Sequence, residues 1–377
     1  MGLRIGQTLL VLLAVLALLG TLTRPGRVAF KTALLVPQVL PQVGFKPQAW
    51  FSRQPIRTDI RYPIGDGTGV ADLYRPPGGG QRAGLVFFLG VNPAGRDDPR
   101  VVNLSQALAR AGFAVLVPWS DVMTQRRLDV DSPDSLVWAY QHLSGLDYVD
   151  SQRVGLAGFC VGASIAVVAA EDSRINEQVS FVNDFGGYYD ARDYLAQIAS
   201  GASFQGGAQA PWVVGDLTRE VFTAELLSAV DDSEEHAFLS HVFTGGGSVA
   251  PQEVEALSPA ASAVYRLLSG VSLEEARRLL TLLPPRAQEV FDRVSPSTHV
   301  SNLVAPVLIM HDREDDAVPV EESRRFHEAL RKRGDVTYTE FSFFQHVDPT
   351  RRVPMSTFVK ESYKLYLHLF RIVSQAT

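Results

Sequence analysis

Cysteine is nearly absent: a single thiol, Cys160, stands among 377 residues. That excludes an intramolecular disulfide and a cysteine-based zinc cluster, so Cys160 acts alone or with histidine and carboxylate partners. One thiol fits a reducing compartment and an exported chain without bridges equally well. Basic runs are missing too. With a formal net charge of -6 the chain has no footprint for a phosphate backbone, which argues against nucleic acid as a partner. Internal repeats and low-complexity tracts are absent. What remains is 46% hydrophobic and 20% charged, a composition that buries a large core.

Charge is also absent between Arg4 and Arg24, and residues 9–20 (LLVLLAVLALLG) are almost wholly aliphatic. A bilayer or a translocon is the natural solvent for such a run. Its fully apolar part is short against the roughly 20 residues that cross a membrane, but residues 5–23 together are long enough. No small-residue cleavage site follows at Thr21-Leu22-Thr23-Arg24-Pro25, so an uncleaved anchor is favoured over a signal peptide and secretion. Arg24, Arg27 and Lys31 after the run, against Arg4 before it, lean towards a cytoplasmic catalytic domain. Residues 33–45, broken by Pro37 and Pro41, read as an irregular segment lying on the membrane or on the domain. Residues 1–46 are thus an anchor or signal segment with its linker.

From residue 47 onward short apolar runs alternate with helix-like stretches, the pattern of a parallel sheet with crossover helices. Strands are expected at 85–90, 114–118, 153–158, 179–184, 306–311 and 336–341, and helices at 101–111, 132–144 and from 164. The fold class is therefore α/β, with a doubly wound, mostly parallel sheet. Residues 191–300 break the rhythm, with no convincing strand beyond a short apolar stretch near Trp212. Helices are expected at 259–268 and 273–283, and glycine-rich flexible connections at 201–207 and 245–247. A largely helical insertion between sheet strands reads as a cap over the sheet's carboxyl edge.

A strand running into Gly158-Phe159-Cys160-Val161-Gly162 and then into a helix is the context of a nucleophile elbow. The turn needs small flanking residues, which Gly158, Gly162 and Ala163 supply. Cys160 then stands at a helix N-terminus, where the dipole and a neighbouring imidazole favour the thiolate. These folds deliver the acid and the histidine later in the chain. Asp315, three residues before Val318-Pro319, is the chosen acid; Asp312 and Asp316 read as solvated turn residues, and Asp184 would serve only if the acid sat on an earlier strand. His346 lies in a loop after the last strand, whereas His142, His236, His241, His299, His311, His327 and His368 read as structural or surface. An oxyanion hole would take one N–H from Val161 and one from Val91, just after Gly90. No metal or organic cofactor is implied.

Together these residues resemble the dienelactone hydrolase family of α/β hydrolases, whose elbow also carries cysteine in a Gly-x-Cys-x-Gly turn. The likeness runs from about residue 59 to the carboxyl end, the insertion excepted. It implies Cys160, Asp315 and His346 as nucleophile, acid and base, and hydrolysis of an ester or lactone through an acyl-enzyme. Those enzymes are compact, so the apolar N-terminus and the insertion imply a different, lipophilic substrate, and the family's substrate-binding arginines have no counterpart to assign. Polyhydroxyalkanoate synthases also carry cysteine elbows, which makes acyl transfer one alternative. A catalytically silent scaffold that binds a ligand or partner through its cap is another. The oligomeric state is not readable from the sequence.

Overall fold

The computed structural model describes residues 22–377 and Val15. The aliphatic run at 9–20 therefore lies, save for Val15, outside the described residues, as does Arg4. Among the described residues no helix is long and apolar enough to cross a membrane.

Eight strands form one sheet: β1 (Ile56–Ile64), β2 (Gly67–Arg75), β3 (Arg82–Phe88), β4 (Phe113–Trp119), β5 (Val149–Phe159), β6 (Val182–Phe185), β9 (Val307–Asp312) and β10 (Val336–Phe341). Their spatial order is β1-β2-β4-β3-β5-β6-β9-β10. The pairings β1–β2 and β2–β4 are antiparallel and the other five parallel. Six parallel strands are the six read from the sequence, because strands covered on both faces are near-continuous apolar runs.

The β1–β2 hairpin was not foreseen. Its register closes at Ile64↔Gly67 around Gly65-Asp66, with Gly65 at φ 53°, a turn that glycine favours. β1 faces solvent along most of its length, so its apolar content is too sparse to announce a strand. A second pair, β7 (Ala202–Gln205) and β8 (Ala208–Pro211), replaces the expected flexible connection at 201–207. Gly206 and Gly207 form its turn with φ of 56° and 86°.

The sheet has a core on each face. Val86, Leu156, Val182 and Ile309 pack with the helices Ser132–Ser144 and Val161–Glu171. Their strand neighbours Leu85, Phe87, Ala157, Phe185 and Met310 turn the other way, towards the helices Arg24–Val39, Pro99–Ala111 and Met355–Gln375, as the two-residue period of a strand requires. Residues 33–39 thus belong to a regular helix rather than an irregular segment. Pro37 falls in its last turn and forgoes one hydrogen bond to the carbonyl four residues earlier, while the buried Val28, Thr32 and Leu35 anchor the helix to the domain. Between β6 and β9 the chain makes the helices Ala191–Ser200, Asp216–Ser228, Ser233–Phe243, Pro259–Ser269, Leu273–Leu280 and Pro285–Val294, with shorter turns between.

Candidate active site

β5 ends at Phe159, Cys160 turns, and the next helix starts at Val161. Cys160 has φ 56° and ψ −137°, a conformation that an L-residue holds only under constraint. The constraint is visible. Its N–H donates to the Phe185 carbonyl at 2.9 Å, and its own carbonyl accepts from Ala163 N–H at 2.9 Å. A methyl group added at Gly158 would lie 2.2 Å from the Gly162 oxygen, and one at Gly162 would lie 2.5 Å from the Leu89 carbonyl carbon. Both elbow glycines are therefore dictated by close backbone approach.

Asp315 is buried in the turn after β9, and its Oδ1 accepts from the N–H groups of Ala317 at 2.8 Å and Val318 at 3.0 Å. Its Oδ2 stands 2.8 Å from Nδ1 of His346. Facing a carboxylate, Nδ1 carries the proton and leaves Nε2 for the Cys160 sulfur, the ring's other side-chain partner. Burial opposes charge on both groups. On Asp315 the two imidazoles of His346 and His311 outweigh it and hold the carboxyl far below the usual range; on His346 the Asp315 carboxylate and the Cys160 sulfur outweigh it and hold the imidazolium well above its ordinary value. His346 itself has φ 54°, in a tight turn where Gln345 and Asp348 exchange backbone hydrogen bonds of 2.6 and 3.0 Å.

The other carboxylates separate cleanly. Asp312 is buried, not solvated, and its oxygens accept from the N–H groups of Glu314 and Phe344. Asp316 is half-buried, and its carbonyl accepts from Gly215 N–H at 2.7 Å. Asp184 accepts from Gly187 N–H at 3.0 Å, has no hydrogen bond to a histidine, and is pushed up to about 6 by burial.

Val91 and Val161 both line the cavity into which Cys160 opens, and neither N–H is used by another backbone or side-chain group among the described residues. Gly90 donates to the Phe159 carbonyl at 3.1 Å, which brings the loop after β3 against the elbow.

His311, read as structural or surface, is buried behind Asp315, with Nε2 3.4 Å from Asp315 Oδ2 and 2.8 Å from the Val318 carbonyl, and Nδ1 2.7 Å from Ser323 Oγ. A histidine closing a strand four residues before the acid was the available signal. His368 is buried as well, between Asn183 Oδ1 and Thr339 Oγ1 at 2.9 and 3.0 Å, and burial lowers it to about 3. His142 and His327 stack on Tyr62 and Tyr338. Three further groups escaped notice because nothing local marks them. Trp212 Nε1 donates to the Asp315 carbonyl at 2.8 Å, and Tyr194 Oη to the Ala317 carbonyl at 2.6 Å, tying the segment between β6 and β9 to the Asp315 loop. Arg100 joins Asp98 to Asp348, tying the loop after β3 to the loop of His346.

The cavity above and beside Cys160 measures about 1300 Å³ and is walled chiefly by apolar side chains of the sheet, the insertion and the helices of the second core. Among the described residues no cluster of three potential ligands could hold a metal ion.

The sheet, elbow and site define an α/β-hydrolase fold. A dipeptidyl aminopeptidase IV-type protein from Bacteroides ovatus has the same fold, with a TM-score of 0.51, 13% identity, and 86% of this chain covered against 36% of that one. An acylaminoacyl peptidase from Pyrococcus horikoshii (TM-score 0.49, 15% identity, 87% of this chain, 44% of that one) and an esterase from Pyrobaculum calidifontis (0.48, 14%, 92% and 91%) align less well. The chain thus spans less than half the length of the two peptidases. Residues 262–347 match the prolyl oligopeptidase family of S9 peptidases, a stretch that holds Asp315 and His346 and begins well after the elbow. No curated protein matches.

Proposed function

We propose that the chain is an acyl hydrolase in which Cys160 is the nucleophile, His346 the base, Asp315 the orienting acid, and the N–H groups of Val91 and Val161 the oxyanion hole. The observation that carries this reading is the Asp315–His346 pair at 2.8 Å, with that imidazole and the strained Cys160 elbow lining the same cavity. His346 Nε2 takes the thiol proton, and the thiolate adds to an ester or thioester carbonyl whose oxyanion the two N–H groups hold. Collapse expels the alcohol or thiol, which leaves with the proton from His346. Water, deprotonated by the same nitrogen, then attacks the acyl-cysteine and releases the carboxylic acid and the thiol. The elbow's cysteine also supports the likeness to dienelactone hydrolases, and the helices between β6 and β9 act as the cap. Attachment to a membrane through residues 1–46, on its cytoplasmic side, completes the reading.

A thiol-directed acyl probe and a panel of p-nitrophenyl esters test it. Labelling and turnover are expected in the full chain and lost in Cys160→Ala. Labelling that persists in the variant, or a folded protein inert to every ester, would leave a binding scaffold instead.

A further inference from the structure

We infer that the acyl group is a long unbranched chain and that it lies beneath the sheet, rather than under the cap where the leaving group sits. The inference rests on the acyl hydrolase reading and names its substrate class. From Cys160 the cavity extends in two directions. One arm is bounded by the insertion, with Val221, Phe222 and Phe291 on its wall. The other runs between the second core face of the sheet and two helices, walled by Leu85, Phe87 and Ala157 on the strands and by Leu108, Leu369 and Ile372 opposite.

Length and chemistry select the occupant. Along β3 the cavity wall runs from Gly90, beside the elbow, to Leu85; five residues at 3.3 Å each give roughly 16 Å. An extended chain with bonds near 1.5 Å advances about 1.25 Å per carbon, so a dozen carbons fill that path. The arm offers little to a polar group. Asn183, which reaches it from β6, is already bonded to His368, and Lys46 at the rim gives its ammonium to the carbonyls of Pro37 and Leu40. The six wall residues are all buried, at 1 to 8% exposure, so this arm is a narrow apolar void that joins a cavity open to solvent. Such voids exclude water and take apolar ligands. A close-packed core would have filled this space with side chains.

The test is a series of p-nitrophenyl esters from acetate to palmitate on the full chain, with Leu369→Trp and Ala157→Leu filling the sheet arm from opposite walls and Val221→Trp filling the cap arm. Specificity, kcat/KM, should climb by up to roughly fourfold per methylene until about a dozen carbons, as burial of each methylene allows. Both sheet-arm variants should cut the laurate-to-butyrate ratio at least tenfold, while Val221→Trp keeps it. A wild-type ratio near one, or a ratio that falls only with Val221→Trp, would overturn the inference while Cys160-dependent butyrate turnover upholds the hydrolase reading. Binding separates the two further. Cys160→Ala should bind laurate saturably in a fluorescent fatty-acid displacement assay, and Leu369→Trp on that background should not. Folded Cys160→Ala without such binding sinks the arm, whatever the catalytic result.

Discussion

At Cys160 a positive φ is held in place by backbone contacts on both sides, and Gly158 leaves no room for a methyl beside the Gly162 oxygen at 2.2 Å. Gly158→Ala should cost more than about 3 kcal/mol in a denaturant titration, since neither partner atom belongs to a flexible side chain. The charged groups give pH-dependent expectations. His346 is raised above its unfolded value, so it binds more protons folded than unfolded; its stabilisation is complete below about 6.5 and fades as pH climbs through the folded value. Asp315 works in the opposite sense, stabilising above the ordinary carboxylate range and losing that contribution in acid. Asp315→Asn should lower the His346 imidazole titration followed by NMR and reduce kcat roughly 10³–10⁴-fold by spoiling the tautomer; an unmoved titration would break the link between the two. Glu171 supplies a control away from the site. Buried without a hydrogen-bond partner for either oxygen and pushed up to about 9 by burial, it stays protonated at neutral pH. Stability should therefore fall by up to about 1.4 kcal/mol per pH unit between the unfolded and folded values, and Glu171→Gln should flatten that slope in urea titrations. That Cys160, Asp315 and His346 meet at one cavity was legible because turn chemistry and chain order mark them locally. His311 was not, because its contact depends on Asp315 folding back over the end of β9, where His311 sits.

The loops at the sheet's carboxyl edge are braced to one another rather than to the core alone. Arg100, in the first turn of the Pro99–Ala111 helix, reaches its N-cap Asp98 and Asp348 in the His346 turn, and Arg351 just after that turn reaches Glu314 and Asp312 beside Asp315. Arg100 is well exposed, so its pairs contribute at most about 1 kcal/mol to folding. Their value is positional: a displacement of His346 by an ångström costs up to about a hundredfold in rate. Arg100→Ala should lower kcat roughly tenfold or more while the melting temperature moves by only a few degrees. The reverse pattern would make the bridge a structural tie without influence on the base. The same distinction between local and distant causes explains which elements the sequence disclosed. β4 and β9 announce themselves as apolar runs buried within the sheet, the half-buried edge strand β10 by its alternation, and Ser132–Ser144 and Pro99–Ala111 by their helical periodicity. β1 is an exposed edge strand with charges along it, β7 and β8 are four residues each, and the Arg24–Val39 helix contains a proline. In each of these, pairing or packing with distant residues overrides a weak local signal.

For the molecule as a whole, the second core face, the cavity and the described chain from Arg24 to Phe51 are one assembly. The Arg24–Val39 helix lies on the Met355–Gln375 and Pro99–Ala111 helices. The chain after it crosses to the active-site edge, where Gln38 bonds Asn103 and Gln42 bonds the Pro349 carbonyl of the His346 loop. Along this strap sit Phe45, Trp50 and Phe51, 57 to 72% exposed and paired edge-to-face as Phe45–Trp50 and Phe30–Phe51. Aromatic side chains left in water at that level are costly unless they meet an interface. Upstream of the strap, beyond the Arg24–Val39 helix, is the aliphatic run at 9–20, and the tether proposed here would bring the strap's aromatic side chains towards the headgroup depth that Trp and Phe favour. A lipophilic ester could then reach the rim of the cavity at Gln38 and Lys46 without crossing bulk water. The full chain should sediment with uncharged phosphatidylcholine vesicles, since a net charge of -6 gives it no general attraction to anionic lipid. Trp50→Ala with Phe51→Ala, made in a chain lacking residues 1–21, should weaken the residual partitioning at least about tenfold, as loss of two buried aromatic side chains demands. If that shortened chain binds no vesicles at all, or binds as well with the two alanines as without them, the aromatic strap does not touch the bilayer, and any membrane attachment rests on the first 21 residues alone.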